Sequence, residues 1–203
     1  MERNAFLARL RTGAPGNVAH PLVPVDGVPA VRYEQDLEDP VTAFIRNAAM
    51  QGAQVSTIDD AGAFVAGVIG ELGAQTVVVS RDPETEGLGG EAFDRPRPDA
   101  DLGVVGALHG IAATGTVVFH AARAGGRSAS LLPPAVVVLL REDAIVRDAG
   151  ELFRHMPDRF PDGPPSQMVL CTGPSKSGDI ELGLTTGVHG PGRVFIGILP
   201  AKP

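Results

Sequence analysis

Residues 39–80 read DPVTAFIRNAAMQGAQVSTIDDAGAFVAGVIGELGAQTVVVS, and the apolar period of this stretch changes three times. Asp39 is a helix-capping residue and Pro40 suits the first helical position. Val41, Phe44, Ile45, Ala48 and Ala49 then recur at helical spacing. Gln54 to Ile58 reads as a strand. Asp59 or Asp60 caps a second helix, whose stripe is Ala61, Phe64, Val65, Val68, Ile69 and Leu72, with Gly73 placed to end it. Thr76 to Ser80 is nearly all β-branched and reads as another strand. Helix, strand, helix, strand implies parallel pairing with right-handed crossovers. The unbroken apolar runs VVV (77–79) and AVVVLL (135–140) agree, because a strand covered on both faces need not alternate.

Working outward, Arg81 to Asp101 is polar and accommodates a short helix near Pro83 to Phe93. Leu102–Leu108, Thr116–Phe119, Ala135–Leu140 and Ala144–Val146 are short strands joined by turns. They predict a β-rich insertion, or a mixed part of the same sheet. Asp148 to His155 suits one helix. Gln167–Cys171 and Val194–Leu199 are strands, and the stretch between them reads as loop then helix. The expected fold class is α/β: a largely parallel central sheet flanked by helices, with a β-rich insertion. At the other end, Glu2 to Arg11 suits a short helix, and Thr12 to Val31 is Pro- and Gly-rich without a period. That arm is either a strap over the core or a partner-binding segment. The expected division is residues 1–37 as helix and arm, and 38–203 as a single α/β domain.

Composition bounds the function. With 43% apolar and 20% charged residues, the chain of 203 residues can bury a sizeable core. The net charge of −7 argues against a nucleic-acid surface and against binding anionic membranes. A single cysteine, Cys171, excludes an intrachain disulfide and a Cys-based metal or iron–sulfur site supplied by this chain alone. No cofactor is expected in this chain. The stretch MERNAFLARLRTG lacks the apolar core of a secretory signal, and the run 135–140 is too short to span a bilayer. The expected location is the cytoplasm.

Chemistry is concentrated in TGPSKSGDIELGLTTGVHGP (172–191). If a helix starts near Asp179, its free N–H groups, with Ser175, Lys176, Ser177 and the backbone at Gly178, suit a carboxylate or phosphate. The plainer alternative is that Ser177 or Asp179 caps the helix and Lys176 is solvated. The spacing is not that of a P-loop. Asp179 and Glu181 stand two apart, so on a helix they point in different directions. His189, between glycines, is either an acid–base group or a turn residue. Thr114-Gly115-Thr116 precedes a strand, and Arg127 stands among small residues. Both either wall one pocket with the Lys176 loop or are turns. His20, His109, His120 and His155 show no recognisable metal spacing, and Cys171 reads as an inert thiol at a buried strand end.

Three blocks, GIAATGTVVF (110–119), RSASLLPPAVVVLLREDAIV (127–146) and TGPSKSGDIELGLTTGVHGPGRVFIGIL (172–199), resemble the lactate utilisation protein C family, or LUD domain. Gly-Pro-Ser-x-x-x-x-Asp-Ile-Glu followed by Gly-Val-His-Gly-Pro is the most specific part. The resemblance implies a fold like the NagB/RpiA/CoA-transferase group. It implies a role in oxidising L-lactate to pyruvate beside two iron–sulfur lactate utilisation proteins. It singles out Glu181 and His189 as catalytic candidates. Thr114, Gly115, Thr116, Arg127, Ser175, Lys176, Ser177, Gly178 and Asp179 become ligand-binding candidates. Family members usually carry an acidic residue where this chain has Ala113. A stand-alone isomerase or CoA-transferase-like enzyme and a non-catalytic scaffold are the competing expectations.

Overall fold

A computed structural model describes residues 39–89, 91–92, 97, 99–120, 128–161, 167–178, 184–187 and 189–202. The predicted N-terminal helix and arm lie outside the described residues.

The opening stretch folds as its capping signals require. Helix α1 is Pro40–Met50, and the Asp39 carboxylate accepts the Thr42 N–H at 2.9 Å. Strand β1 is Gln54–Thr57. Helix α2 is Ala61–Leu72. Asp60, rather than Asp59, caps it by accepting the Ala63 N–H at 2.8 Å, and Gly73 ends it at φ +64°. Strand β2 is Val77–Val79. The short helix expected near Pro83–Phe93 reduces to a 3-10 turn, Pro83–Thr85, and a two-residue strand β3, Glu91–Ala92.

The remaining strands are β4 (Leu102–Gly106), β5 (His109–Ile111), β6 (Thr116–His120), β7 (Ala135–Arg141), β8 (Ile145–Val146), β9 (Met168–Cys171), β10 (Lys176–Gly178), β11 (Leu184–Thr186) and β12 (Arg193–Leu199). A one-turn helix α3 (Ser128–Leu131) precedes β7, and α4 (Ala149–Arg159), capped by Asp148, follows β8 and runs past the expected end at His155.

The central sheet has six strands in the order β1-β12-β7-β4-β2-β3, and every neighbouring pair is parallel. Strand β7 shows why its sequence is apolar throughout. Val136, Val138 and Leu140 pack with Phe44 and Ala48 of α1, whereas Ala135, Val137 and Leu139 pack with Val65 and Val68 of α2. The two helices therefore cover opposite faces.

The β-rich part forms a second sheet, β8-β5-β6-β9, of four strands. Strand β6 alternates: Val117 and Phe119 join the core beneath the parallel sheet, and Val118 joins Leu152 and Met156 of α4. The order of layers is thus α2, parallel sheet, second sheet with α1, then α4. Two glycines permit the close approaches. A Cβ on Gly110 would stand 2.8 Å from the Leu140 side chain, and one on Gly103 would stand 2.0 Å from the Ala129 carbonyl oxygen.

Strands β10 and β11 pair antiparallel, Lys176 opposite Thr186. This corrects the expected loop-then-helix. Gly-Pro, Ser and Asp serve hairpins as readily as helix caps, and Lys176–Gly178 is extended backbone with no helical turn. The expected helix start near Asp179 lies outside the described residues, whereas Leu184–Thr186, expected within that helix, is strand.

Candidate functional site

Several of the predicted residues that the structure describes gather at the amino edge of the parallel sheet. Gly192 N–H donates to the Pro134 carbonyl at 2.9 Å, one residue before β7 and β12 begin. Helix α1 also ends here, just ahead of β1. Its carboxyl terminus is closed by a paired turn: Gly52, at φ +98°, donates to the Ala49 carbonyl at 2.9 Å, and Ala53 to the Ala48 carbonyl at 3.1 Å. Lys176 Nζ donates to the remaining Gln51 carbonyl at 2.8 Å.

Around this helix end the structure joins several predicted residues. Thr114, Thr116 and Thr172 form a chain of hydroxyls, with Oγ1–Oγ1 separations of 2.6 and 2.7 Å. Gly115, at φ +66°, lies so close to α1 that a Cβ would stand 2.2 Å from the Ala48 nitrogen. Ser175 Oγ accepts the backbone N–H of exposed His189 at 3.4 Å. Ser177 and Gly178 belong to β10, whereas Arg127, Asp179 and Glu181 lie outside the described residues. A helix carboxyl terminus carries partial negative charge. The Lys176 ammonium complements that end, and the surrounding carbonyls repel a carboxylate or phosphate. Cys171 is half-buried at the end of β9, and desolvation pushes its thiol pKa up.

The opposite edge carries chemistry that the sequence did not reveal. Beyond the carboxyl ends of β2, β4, β7 and β12 lies a polar cleft of about 360 Å³. Open α/β sheets bind ligands at this edge. Asp82 and Glu84 enter from the turn after β2, and Arg141 ends β7. Asp143 follows it, and Lys202 comes after β12. The second sheet adds His109 from the start of β5 and His120 from the end of β6, and α4 adds Arg159 from its last turn. His109 lies opposite Val118 in the antiparallel register, so His109 and His120 are diagonal neighbours on one face.

The cleft floor is fixed by backbone geometry. Asp82 is 7% exposed, and its carboxylate accepts the Gly106 N–H at 3.0 Å and the Ser80 hydroxyl. Thr85 Oγ1 donates to the Ser80 carbonyl at 2.7 Å and locks the turn. Gly106 is required here, since a Cβ would stand 2.5 Å from Asp82 Cβ and 2.8 Å from Glu84 Oε2.

Three buried polar atoms of residues that line the cleft have no hydrogen-bond partner among the described residues: His109 Nε2, His120 Nδ1 and Arg141 Nε. Arg141 is anchored by a 3.0 Å bond to the Pro200 carbonyl, and its Nε lies 3.8 Å from Glu84 Oε1, too far to hydrogen-bond. His109 is 6% exposed, and its Nδ1 lies 3.0 Å from the Ala144 carbonyl oxygen. A carbonyl only accepts, so Nδ1 carries the proton and Nε2 presents a lone pair. Burial lowers the His109 pKa. The Ala144 bond opposes that shift, while nearby Arg159 and His155 reinforce it. The cleft is thus lined by three carboxylates, Asp82, Glu84 and Asp143, by three cations, Arg141, Arg159 and Lys202, and by two imidazoles, His109 and His120. Among the described residues, no group of three or more His, Cys, Asp or Glu side chains could hold a metal ion.

The family signature described as the LUD domain matches residues 91–199, more than half of the chain. The chain belongs to the LUD domain family. The match takes in Gly106, His109, His120, Arg141, Asp143 and Arg159, while Asp82, Glu84 and Lys202 flank it. Among curated proteins, the chain is 30% identical over 145 residues to "Lactate utilization protein C" of Halalkalibacterium halodurans, covering 62% of this chain and 63% of that protein. It is 34% identical over 141 residues to "Uncharacterized protein YkgG" of Escherichia coli, covering 60% and 61%. It is 34% identical over 104 residues to "Lactate utilization protein C" of Bacillus subtilis, covering 50% and 43%. The alignments thus span less than two thirds of these relatives' lengths. A solved DUF162 family protein from Deinococcus radiodurans superposes with a TM-score of 0.60 at 22% identity, covering 80% of this chain and 99% of that one. That likeness shows that this LUD domain shares its fold. Among the described residues no helix is long and apolar enough to cross a membrane.

Proposed function

We propose that this chain is a cluster-free subunit of an L-lactate utilisation system. It binds a small carboxylate in the cleft at the carboxyl edge of its parallel sheet and acts beside two iron–sulfur partner proteins. The relatives' names support the pathway. The single cysteine supports the division of labour, because a cluster needs several thiolates from elsewhere. The observation that carries the ligand reading is the polar cleft itself, whose lining residues Arg141 and His109 each keep a buried nitrogen, Nε and Nε2, with no hydrogen-bond partner among the described residues. Buried polar groups are rarely left without partners, so such a pair marks a place where a ligand or ordered water completes the hydrogen bonding. The loop 173–178 is the weaker candidate, because its cation is engaged by the carboxyl end of α1.

Deleting the gene in its host and scoring growth on L-lactate tests the reading. Growth is expected to fail, to return with the intact chain, and to stay impaired with Arg141→Gln. An affinity-tagged chain is expected to co-purify with iron-containing partners. Unimpaired growth of the deletion strain on lactate would sink the proposal.

A further inference from the structure

We propose that the last turns of α4 form an acid-released clamp on the second sheet: a proton taken up by His109 frees them, and Arg159 leaves the cleft wall with them. The clamp is a property of the fold and stands whether or not the cleft binds a carboxylate. Strand alternation places the imidazole. Ile111 and Val118 pack with Leu152 and Met156 of α4, and His109 and His120 lie two residues along from them on the same sheet face. Gly110 faces the other way, toward Leu140 and Phe44. Phe160, just past α4, stacks on His120 with ring centroids 5.4 Å apart. The end of α4 therefore lies on the sheet face that carries both imidazoles.

That end is lightly held. Between His155 and Phe160 only Met156 is buried, and Phe160 is half-buried. Pro157 lies inside the helix and has no N–H, so the usual bond back to the Phe153 carbonyl is missing. The ladder of α4 is thus interrupted one turn before its end, where a hinge costs least.

His109 supplies the trigger. Its Nδ1–H is committed to the Ala144 carbonyl, and its buried Nε2 has no partner among the described residues. A proton on Nε2 adds a charge with no acceptor in place, and an unpaired buried charge is costly. Burial is the main cause of the lowered His109 pKa, and Arg159 and His155 of α4 add to it. Glu151 of α4 attracts the charged form, yet its carboxylate already accepts the Arg147 N–H at 2.7 Å. The other charged or titratable groups of the same cleft are His120 from β6, Asp82 and Glu84 from the turn after β2, Arg141 and Asp143 at the end of β7, and Lys202. Lifting the end of α4 gives the imidazole water and takes His155 and Arg159 away from it. The released form then takes up the proton near about pH 6.5 and the closed form only below that. Opening is therefore favoured as pH falls from the first value to the second, by up to about tenfold per pH unit, and levels off beneath.

Amide hydrogen exchange read by mass spectrometry tests this on the full chain from about pH 7.5 to about pH 5, with each rate corrected for the intrinsic pH dependence of exchange. In wild type, peptides covering residues 153–160 are expected to be less protected than β7 at every pH, and to lose protection by up to about tenfold per pH unit below about 6.5. The loss is expected to vanish in His109→Gln, which cannot titrate. It is expected to shrink in Arg159→Gln, because removing that exposed cation raises the closed-state pKa toward the free value. Protection of 153–160 that does not change with pH in wild type, or a loss that persists undiminished in His109→Gln, overturns the inference. Equal protection of 153–160 and β7 means that the two open together, and overturns it as well. The wild-type profile decides even if His109→Gln does not fold.

Discussion

Gly106 and Gly70 are both replaceable by alanine on paper, yet the structure assigns the two substitutions opposite signs. At Gly106 the added Cβ would stand 2.5 Å from Asp82 Cβ and 2.8 Å from Glu84 Oε2. Carbon atoms pack at about 3.5–4.0 Å, so the turn after β2 must retreat by about 1 Å. That turn is pinned: Asp82 accepts the Gly106 N–H itself, and Thr85 ties it to Ser80. Overpacking of this kind costs about 1–3 kcal/mol, and weakening the hydrogen bond to the buried carboxylate adds about 1 kcal/mol, so Gly106→Ala should lose roughly 2–4 kcal/mol. In a domain of this length the loss lowers the melting temperature by about 4–16 °C. Gly70 lies inside α2 with nothing within 4 Å of its would-be Cβ. Alanine there removes unfolded-state freedom and should add about 0.4–1 kcal/mol. Urea unfolding of both variants gives the two numbers. A Gly106→Ala protein within 0.5 kcal/mol of wild type, a margin about the size of an ordinary surface substitution, would refute the packing of the cleft floor.

Lys176→Ala should cost about 0.5–1 kcal/mol through the lost bond to the α1 carboxyl end, measured by urea unfolding, with lactate affinity unchanged. Asp101 accepts the Gln75 and Thr76 N–H groups and the Thr76 hydroxyl, and these bonds hold its carboxyl below the usual carboxylate range. Its contribution is present above the unfolded value near about 3.9 and is lost as pH falls through the lower folded value. The stability gap between wild type and Asp101→Asn should therefore close in acid, as unfolding curves at successive pH values will show. His109 is depressed in the same direction, so its unfolded state gains protons first. Stability should fall as pH drops below about 6.5 and level off beneath the folded value, a step missing in His109→Gln. The raised Cys171 pKa predicts slow reaction with a thiol reagent at neutral pH, with the rate rising on unfolding.

The fold was legible where it is written locally. Asp39-Pro40, Asp60 and Gly73 are caps whose partners lie within four residues, and the apolar runs of β2 and β7 announce burial on both faces. The second sheet was half legible. Most of its strands show in the sequence, but β5 merges with the turn before β6, because three residues carry little period. The site was largely illegible. Asp82, His109, Arg141 and Lys202 are separated by tens of residues and meet only because parallel strands end together. One signal was available: three of the four follow closely on an apolar run, VVV, AVVVLL or VFIGIL. The glycines, serines and lysine of 172–191 are conspicuous because they are contiguous, yet among the described residues Lys176–Gly178 pairs with Leu184–Thr186 and Lys176 binds a helix end.

The central claim is that the ligand site lies at the carboxyl edge of the parallel sheet and not at the Lys176 loop. Titrating L-lactate into Arg141→Gln and Lys176→Ala side by side tests it most directly. The account predicts binding lost or weakened at least about tenfold in Arg141→Gln, as expected for a charge-assisted bond, with Lys176→Ala indistinguishable from wild type. The reverse pattern, with affinity lost at Lys176 and kept at Arg141, would contradict it.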